Sequence, residues 1–437
     1  MSKSLLQQIV AANKRGERRG ICSVCSANED VLRAVLRRAR TNGCPALIES
    51  TANQVNQFGG YTAMTPADFA SFVRRLAAEE DVPAARVILG GDHLGPLTWT
   101  DLPEEEALRN AEQLVADCVR AGYAKIHLDT SMRVASDDAD APFPASICAT
   151  RGARLAAACE QAYQQLGDDA DPPCYVIGSE VPVPGGDLRV DARKVSDPAD
   201  ALQTIEAYRK AFNEAGLTNA FGRVIALVLE MGVEFHEWTL DEYDRSRTAE
   251  LVAAMRETPL AIEGHSTDYQ TPAALRALCE DGVAILKVGP GFTFAAREAL
   301  FALENVEREL FCGSRRPLSN LRRVLDAAMR ANPKYWASYH QGTKDEQSFA
   351  RAYSFYDRAR YYLGDPQVQT ARQLLLDNLA SAPVPLPLLG QYLPAQYERV
   401  RAATLRNEPH ELLYDHIGDA IDPYLAATGG DSAERIK

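Results

Sequence analysis

Arg86-Val87-Ile88-Leu89-Gly90-Gly91-Asp92-His93-Leu94-Gly95-Pro96 is the stretch on which the reading of the fold turns. Its apolar opening predicts a buried strand, the glycine pair predicts a turn, and Pro96 stops a strand from continuing. An acid and an imidazole thus sit side by side where a buried strand ends. In parallel α/β proteins, catalytic side chains gather at the carboxyl ends of strands. If Asp92-His93 marks one such end, others should follow at regular intervals.

They do. Upstream, residues 20–25 (GICSVC) and 45–49 (PALIE) read as buried strands around a helix-compatible segment, 29–40. The loop 50–62 (STANQVNQFGGYT) is rich in Asn, Gln and Gly and suits a polyhydroxylated ligand, with Asn53 and Gln54 as candidate contacts. Thr65-Pro66 caps the next helix. Downstream the alternation continues as strands 125–129, 174–180, 223–230, 260–266 and 284–289. The helices between them fall at 104–121, 145–166, 197–215, 241–256 and 272–279, with a last one at 292–310.

Eight strands, each followed by a helix, imply parallel pairing with right-handed crossovers. The span matches a (β/α)8 barrel, which takes about 250 residues. A doubly wound open sheet is the alternative, but no G-x-G-x-x-G follows the first strand and no G-x-x-x-x-G-K-[ST] occurs. After residue 311 the periodicity becomes helical (320–330, 347–362, 368–381), broken by the proline-rich 383–387. This predicts a barrel domain over 1–311 and a helical extension over 312–437 packed on it, frayed from 428 onward.

Bulk properties narrow the function. The 437 residues carry a formal charge of −13, which argues against nucleic-acid binding. No run of about 20 apolar residues predicts a membrane span, and the first residues lack a signal-peptide core. Nine scattered cysteines fit a reduced, cytoplasmic protein. Cys22-x-x-Cys25 has no second pair for zinc and reads as two strand cysteines.

The strand ends carry Glu49, Asp92 with His93, Asp129, Glu180, Glu230, His265 with Ser266, and Lys287. A barrel places them around one axis on one face. Imidazoles among carboxylates suit a divalent metal, zinc first, with manganese, nickel or cobalt accepted. The expected ligands are His93, Glu180, Glu230 and His265, with Asp92 moving a proton beside the metal. Glu49 and Asp129 read equally well as helix caps. His127 reads as a core histidine, His236 as exposed or functional, and His340, His410 and His416 as structural. Phosphate could be held by Gly185-Gly186 and by the amides of Gly289-Pro290-Gly291 at a helix start, assisted by Ser266, Thr267 and Lys287. Arg358 and Arg360, at helical spacing, would either reach the barrel mouth or pair on the surface.

The motifs GICSVCSA (20–27), STANQVNQFGGYTAMTPADF (50–69), ILGGDHLGP (88–96), KIHLDTSM (125–132), VIGSEVPVPGG (176–186), GHSTDYQT (264–271) and LKVGPGFTFAAREALFALE (286–304) carry a resemblance. With YDRARYYL and QYLPAQYERV further on, the chain resembles the tagatose-bisphosphate aldolase large-subunit family. Its members are also labelled non-catalytic subunits or tagatose 6-phosphate kinases, and some look like D-tagatose 6-phosphate 4-epimerases. The resemblance implies a TIM barrel related to class II, metal-dependent aldolases. It maps a proton-transfer acid to Asp92, metal histidines to His93 and His265, and a glutamate before a Gly-Gly turn to Glu180. The wider group's third histidine after strand six is replaced by Glu230, with His236 six residues on.

Three functions compete under that resemblance. A kinase fits worst, since no nucleotide-phosphate cradle is visible. A stabilising, non-catalytic partner of a class II aldolase subunit would be free to lose its ionisable strand ends, and this chain retains them. The favoured expectation is a metal-dependent 4-epimerase of a ketohexose 6-phosphate working by retro-aldol and aldol chemistry, with Asp92, Glu180 and Glu230 as catalytic acids and bases. Glu49, Asn53, Gln54, Asp129, Gly185, Gly186, Ser266, Lys287, Arg358 and Arg360 would contact the substrate. The expected partners are a small sugar phosphate, a class II aldolase subunit and a second copy in a homo-oligomer, with no nucleic acid and no membrane.

Overall fold

Eight short strands, β1 (Ile21–Cys25), β2 (Ala46–Thr51), β3 (Val87–Leu94), β4 (Lys125–Leu128), β5 (Cys174–Ile177), β6 (Val224–Leu229), β7 (Ala261–Gly264) and β8 (Val283–Val288), close into one parallel barrel in sequence order. β1 pairs with both β2 and β8, which seals the ring and leaves no sheet edge. The structure is a computed structural model and describes residues 4–167, 170–181, 194–381 and 383–430. The expected loop residues Gly185 and Gly186, and the end of the chain from 431, lie outside the described residues.

Side chains alternate along each strand, and the two sets go to two cores. Val24, Ile48, Leu89, Ile126 and Leu286 pack outward against the helices. Ile21, Leu47, Ile88, Val176, Val228 and Ile285 point into the barrel. Helix α1 (Leu5–Lys14), opened by a Ser4–Gln7 capping box, lays Leu6, Ile9 and Val10 on this inner cluster and closes the amino-terminal end. The bottom of the barrel is therefore dry and apolar. Charge is confined to the layers above.

β3 corrects the reading of its glycines. Gly90 and Gly91 do not turn the chain; the strand runs through them to Leu94, and a 3-10 turn, Pro96–Trp99, follows. Gly90 is required for clearance, because a Cβ there would fall 2.8 Å from a Glu49 carboxylate oxygen. Gly95 is held more tightly still, since its Cβ would lie 1.6 Å from the Asp129 carbonyl oxygen.

After the helix Pro290–Phe311 the chain forms further helices against the barrel. The last, Pro409–Thr428, packs on the helices Glu29–Asn42, Pro272–Glu280 and Pro290–Phe311. Tyr424 there donates its hydroxyl to the Thr267 carbonyl at 2.7 Å. Among the described residues, no helix is long and apolar enough to cross a membrane.

The expected helix 347–362 is two elements. Lys344–Tyr353 ends at Ser354, and a 3-10 turn, Arg358–Tyr361, begins after Asp357. Asp357 takes a left-handed backbone, φ 40°, which a non-glycine residue adopts only when its surroundings hold it. Its buried carboxylate accepts from Thr293 Oγ1 at 2.6 Å and from Arg297 Nε at 3.2 Å. The Arg297 guanidinium also lies 4.2 Å from the Phe294 ring centroid. Asp357→Ala leaves that buried guanidinium without its carboxylate, a loss expected to cost about 3–5 kcal/mol. Urea unfolding followed by circular dichroism measures it, and a change under about 1 kcal/mol would show that the pair does not hold the turn.

Candidate active site

Five charged side chains from five strands form an alternating chain inside the barrel. Glu263 (β7) meets Lys125 (β4) at 2.7 Å, and Lys125 meets Glu49 (β2) at 2.7 Å. Glu49 then contacts Lys287 (β8), which lies 3.1 Å from Asp92 (β3). Lys287 also donates to Ser23 Oγ at 3.1 Å. Glu49, Lys125 and Glu263 are completely buried. Ions so far from water persist only when paired. Burial disfavours the charged forms, yet the neighbouring carboxylates raise both lysines above their ordinary range. The lysines in turn help hold Asp92 and Glu263 well below theirs.

The two ends of this chain are carboxylates, and each end carries a histidine. His265 Nε2 lies 3.0 Å from Glu263 Oε1, and His127 Nδ1 lies 2.9 Å from Asp92 Oδ1. A third pair stands beside them, His93 Nδ1 with Asp129 Oδ2 at 2.8 Å. The His93, His127 and His265 ring centroids form a triangle with sides of 5.3, 5.1 and 5.4 Å. An ionised carboxylate only accepts, so the ring nitrogen of His93 and of His265 that faces one carries the proton, while His127 Nδ1 also lies 3.2 Å from the His93 backbone N–H. His127 Nε2 has no hydrogen-bond partner among the described residues.

Environments separate the three rings. Burial dominates at His265 and lowers it to about 4. At His93 burial is overcome by Asp92 and Asp129, which raise it above the usual histidine range. Asp129, against its own burial, is held down at about 2 by His93. His93 and Ser266 both have left-handed backbones, φ 48° and 52°, strain of the kind that collects at functional sites.

These residues fit a divalent cation. One ligand atom each from Asp92, His127, Glu263 and His265 lies within 4.8 Å of the others, all buried. Three acids against two lysines leave the ion chain with an excess negative charge at the ends where the histidines stand. A metal-ligating histidine usually donates its other ring N–H to an outer carboxylate that orients it.

The cavity at the carboxyl end of the strands is lined by Cys25, Asn53, Gln54, Asp92, His93, His265, Ser266 and Lys287 from the barrel, and by Arg360 and Tyr361 from the extension. The structure therefore brings together most of the strand-end residues singled out above, but not all. Glu180 binds Lys194 at 2.9 Å and Ser196 at 3.1 Å. Ser196 also receives the backbone N–H of Glu230 at 3.0 Å. The Glu180 carboxylate is thus held by Lys194 and Ser196, whereas Glu230 meets Ser196 through its backbone and its carboxylate acts on Glu234. Glu49 and Asp129 are interior ion partners rather than cavity walls. Arg358 is buried, donating to the Tyr335 carbonyl at 2.6 Å with its guanidinium 3.8 Å from the Tyr339 ring centroid.

The helix start at Gly289-Pro290-Gly291 is already engaged. Asp268 Oδ1 accepts the amides of Gly289 and Gly291 at 3.0 and 2.7 Å. Burial raises this carboxyl to about 6, against the pull of those amides. His236 pairs with Asp241 at 2.9 Å outside the site, and His340 with Glu237 at 2.8 Å.

Sequence reasoning passed over Lys125, Glu263 and Glu234 and read His127 as a core histidine. Lys125, His127 and Glu263 were open to strand parity. Lys125, His127 and Asp129 occupy alternate positions, as do Glu263 and His265, so each set shares the inward face. Glu234 sits after β6 in a short hairpin, where its carboxyl accepts from Ser266 Oγ at 3.2 Å. Burial lifts it to about 8. Nothing in its local sequence sets it apart. The C-x-x-C cysteines point to opposite faces; Cys22 packs outward, while Cys25 Sγ donates to Asp92 Oδ2 at 3.4 Å. All nine cysteines are free.

Comparison with known proteins gives a structural match along nearly the whole chain. The chain is similar to a protein from Sinorhizobium meliloti 1021 described as a probable tagatose 6 phosphate kinase. The two are 41% identical, with a TM-score of 0.86 over 94% of this chain and 100% of that one. A much weaker match is the YdjI aldolase from Escherichia coli K12, 12% identical with a TM-score of 0.40 over 84% of this chain and 96% of that one. The family model described as D-tagatose-1,6-bisphosphate aldolase subunit GatZ/KbaZ-like matches residues 6–429, and the chain belongs to that family.

Proposed function

We propose that this protein is a metal-dependent 4-epimerase that converts D-tagatose 6-phosphate to D-fructose 6-phosphate in the cytoplasm. The observation that carries the reading is the set of ionisable groups at the carboxyl end of the barrel: an ionised Asp92 beside three imidazoles each paired with a carboxylate. A scaffold gains nothing from such a set, because each buried ion costs several kcal/mol of desolvation. The family description and the matched protein's label both name tagatose phosphates, which supplies the substrate class.

His127 and His265, with Asp92, Glu263 or His93 completing the set, would hold zinc or a similar divalent ion. That ion would polarise the ketose carbonyl and so draw the C3–C4 bonding pair toward C2, which would ease loss of the O4 proton to a carboxylate as weakly basic as Asp92. Asp92 takes the O4 proton. The C3–C4 bond opens to an enediolate and an aldehyde, and Lys287, 3.1 Å from Asp92, offsets negative charge near the reacting carbons. Rotation of the aldehyde before the bond re-forms inverts C4. Arg360 receives the terminal phosphate, since Asp268 already engages the amides at the helix start.

The family description also supports a second reading, a stabilising partner of an aldolase subunit. Purified protein with added Zn²⁺ and tagatose 6-phosphate separates the two. Fructose 6-phosphate measured by coupled assay, and abolished by EDTA, is the expected result. No product, with rescue of a separately expressed aldolase subunit on mixing, would replace the epimerase by the partner role.

Asp92→Asn is expected to lower kcat by at least about a thousandfold; full turnover would remove Asp92 from its role. Equilibrium dialysis against Zn²⁺ tests the ligand set. His127→Ala should weaken binding by at least about tenfold, whereas Glu180→Gln should leave it unchanged. The reverse pattern would move the metal to Glu180.

A further inference from the structure

Inversion at C4 by opening and closing the C3–C4 bond sets a requirement that one acid–base group cannot meet alone. The group that takes the proton from O4 stands on one face of the carbon. After the aldehyde rotates, its oxygen lies on the other face and must be protonated from there as the bond re-forms. Two proton carriers are needed, facing each other across the cavity. Asp92 fills one position, at the barrel wall.

Resting on the epimerase reading, we infer that Tyr361 is the second proton carrier, contributed by the extension. Its 3-10 turn, Arg358–Tyr361, is anchored to the barrel by Asp357 and lines the cavity that Asp92, His265 and Lys287 line from the strand ends. The Tyr361 ring stacks parallel to Tyr335, with centroids 4.7 Å apart and planes inclined by 6°. Tyr61 packs edge-on at 4.8 Å. The guanidinium carbons of Arg358 and Arg360 lie 4.5 and 4.6 Å from the ring centroid. Arg360 Nη2 donates to the phenolic oxygen at 3.2 Å. Two cations and a donated hydrogen bond all favour the phenolate.

Burial raises a phenol, and at Tyr61 the neighbouring Tyr361 adds to that rise. At Tyr361 the two arginines outweigh it and bring the group below the ordinary tyrosine range. The other charged groups near this turn are Asp268 and Asp357, both of which face Arg360. Rival carriers in the cavity are poorly placed for the task. Lys287 is locked in its charge by Asp92 and Glu49, Cys25 is pushed up by burial, and Asp268 is fixed on two backbone amides.

Protons are conserved over the cycle. In one direction Asp92 gains the O4 proton and Tyr361 gives its own to the rotated aldehyde oxygen, leaving a phenolate between the two arginines. A proton passing from Asp92 to Tyr361 through solvent at the open mouth restores both groups. The reverse reaction exchanges their roles. No electrons leave the substrate, and no co-reactant is consumed.

Tyr361→Phe keeps the ring, the stack and the cation contacts, and removes only the hydroxyl. In the zinc-loaded protein it is expected to lower kcat at least about a hundredfold, with KM within threefold and an unchanged melting curve. Tyr335→Phe should retain activity. Base titration followed by phenolate absorbance should show one group ionising below the ordinary tyrosine value of about 10, present in the wild type and absent from Tyr361→Phe. An active wild type whose Tyr361→Phe variant keeps its kcat overturns this inference and leaves the epimerase intact. A wild type without turnover overturns the epimerase reading and this inference with it.

Discussion

Lys125, fully buried and 2.7 Å from each of Glu49 and Glu263, imposes the constraint from which the upper barrel follows. An ammonium with no access to water is tolerable only between carboxylates, and those carboxylates need further cations in turn. In the alternating order Glu263, Lys125, Glu49, Lys287, Asp92 every interior member meets two opposite charges. It also ties five strands together through side chains as well as through backbone ladders. Removing one member would strand its neighbours, so the network is cooperative. Gly90 belongs to it although it carries no charge, because its missing Cβ is the space that the Glu49 carboxylate fills.

An alternating chain with acids at both ends cannot be neutral by itself. The excess charge appears at Asp92 and Glu263, and the structure places His127 and His265 there. Polarity inside the barrel is correspondingly uneven. β5 and β6 turn Val176 and Val228 inward, onto the apolar cluster that α1 covers. Glu180 and Glu230, which follow these two strands, lie outside the ion chain: the Glu180 carboxylate and the Glu230 backbone N–H both meet Ser196.

The parallel barrel is legible in the sequence because its strands are apolar on both faces and helices recur between them. The strand limits are less so. Asp92 and His93 read as residues beyond a turn, whereas β3 carries them within the strand; nothing local distinguishes a glycine that turns the chain from one that makes room. Asp92, His93, His265, Ser266 and Lys287 are legible as strand-end residues and do line or adjoin one cavity. Lys125 and Glu263 are hidden by a habit of reading buried strands as apolar, although their parity with His127 and His265 is visible in the chain. Tyr361 could not be found this way at all. Its place depends on the break after Ser354 and on the left-handed Asp357, which tertiary bonds to Thr293 and Arg297 enforce.

The extension is therefore more than a cover for the barrel. A helix start after the last strand is where a barrel ordinarily offers its amides to an anion. Here Asp268 engages two of those amides with its own carboxylate, which leaves the barrel wall facing the mouth acidic rather than anion-attracting. The positive charge at that rim comes from Arg360, and Arg360 reaches it because Asp357 fixes the turn that carries it. A change to Asp357, far from the histidines, would consequently shift the charge of the mouth along with the turn. Fold stability and the electrostatics of the cavity are coupled through that one buried carboxylate.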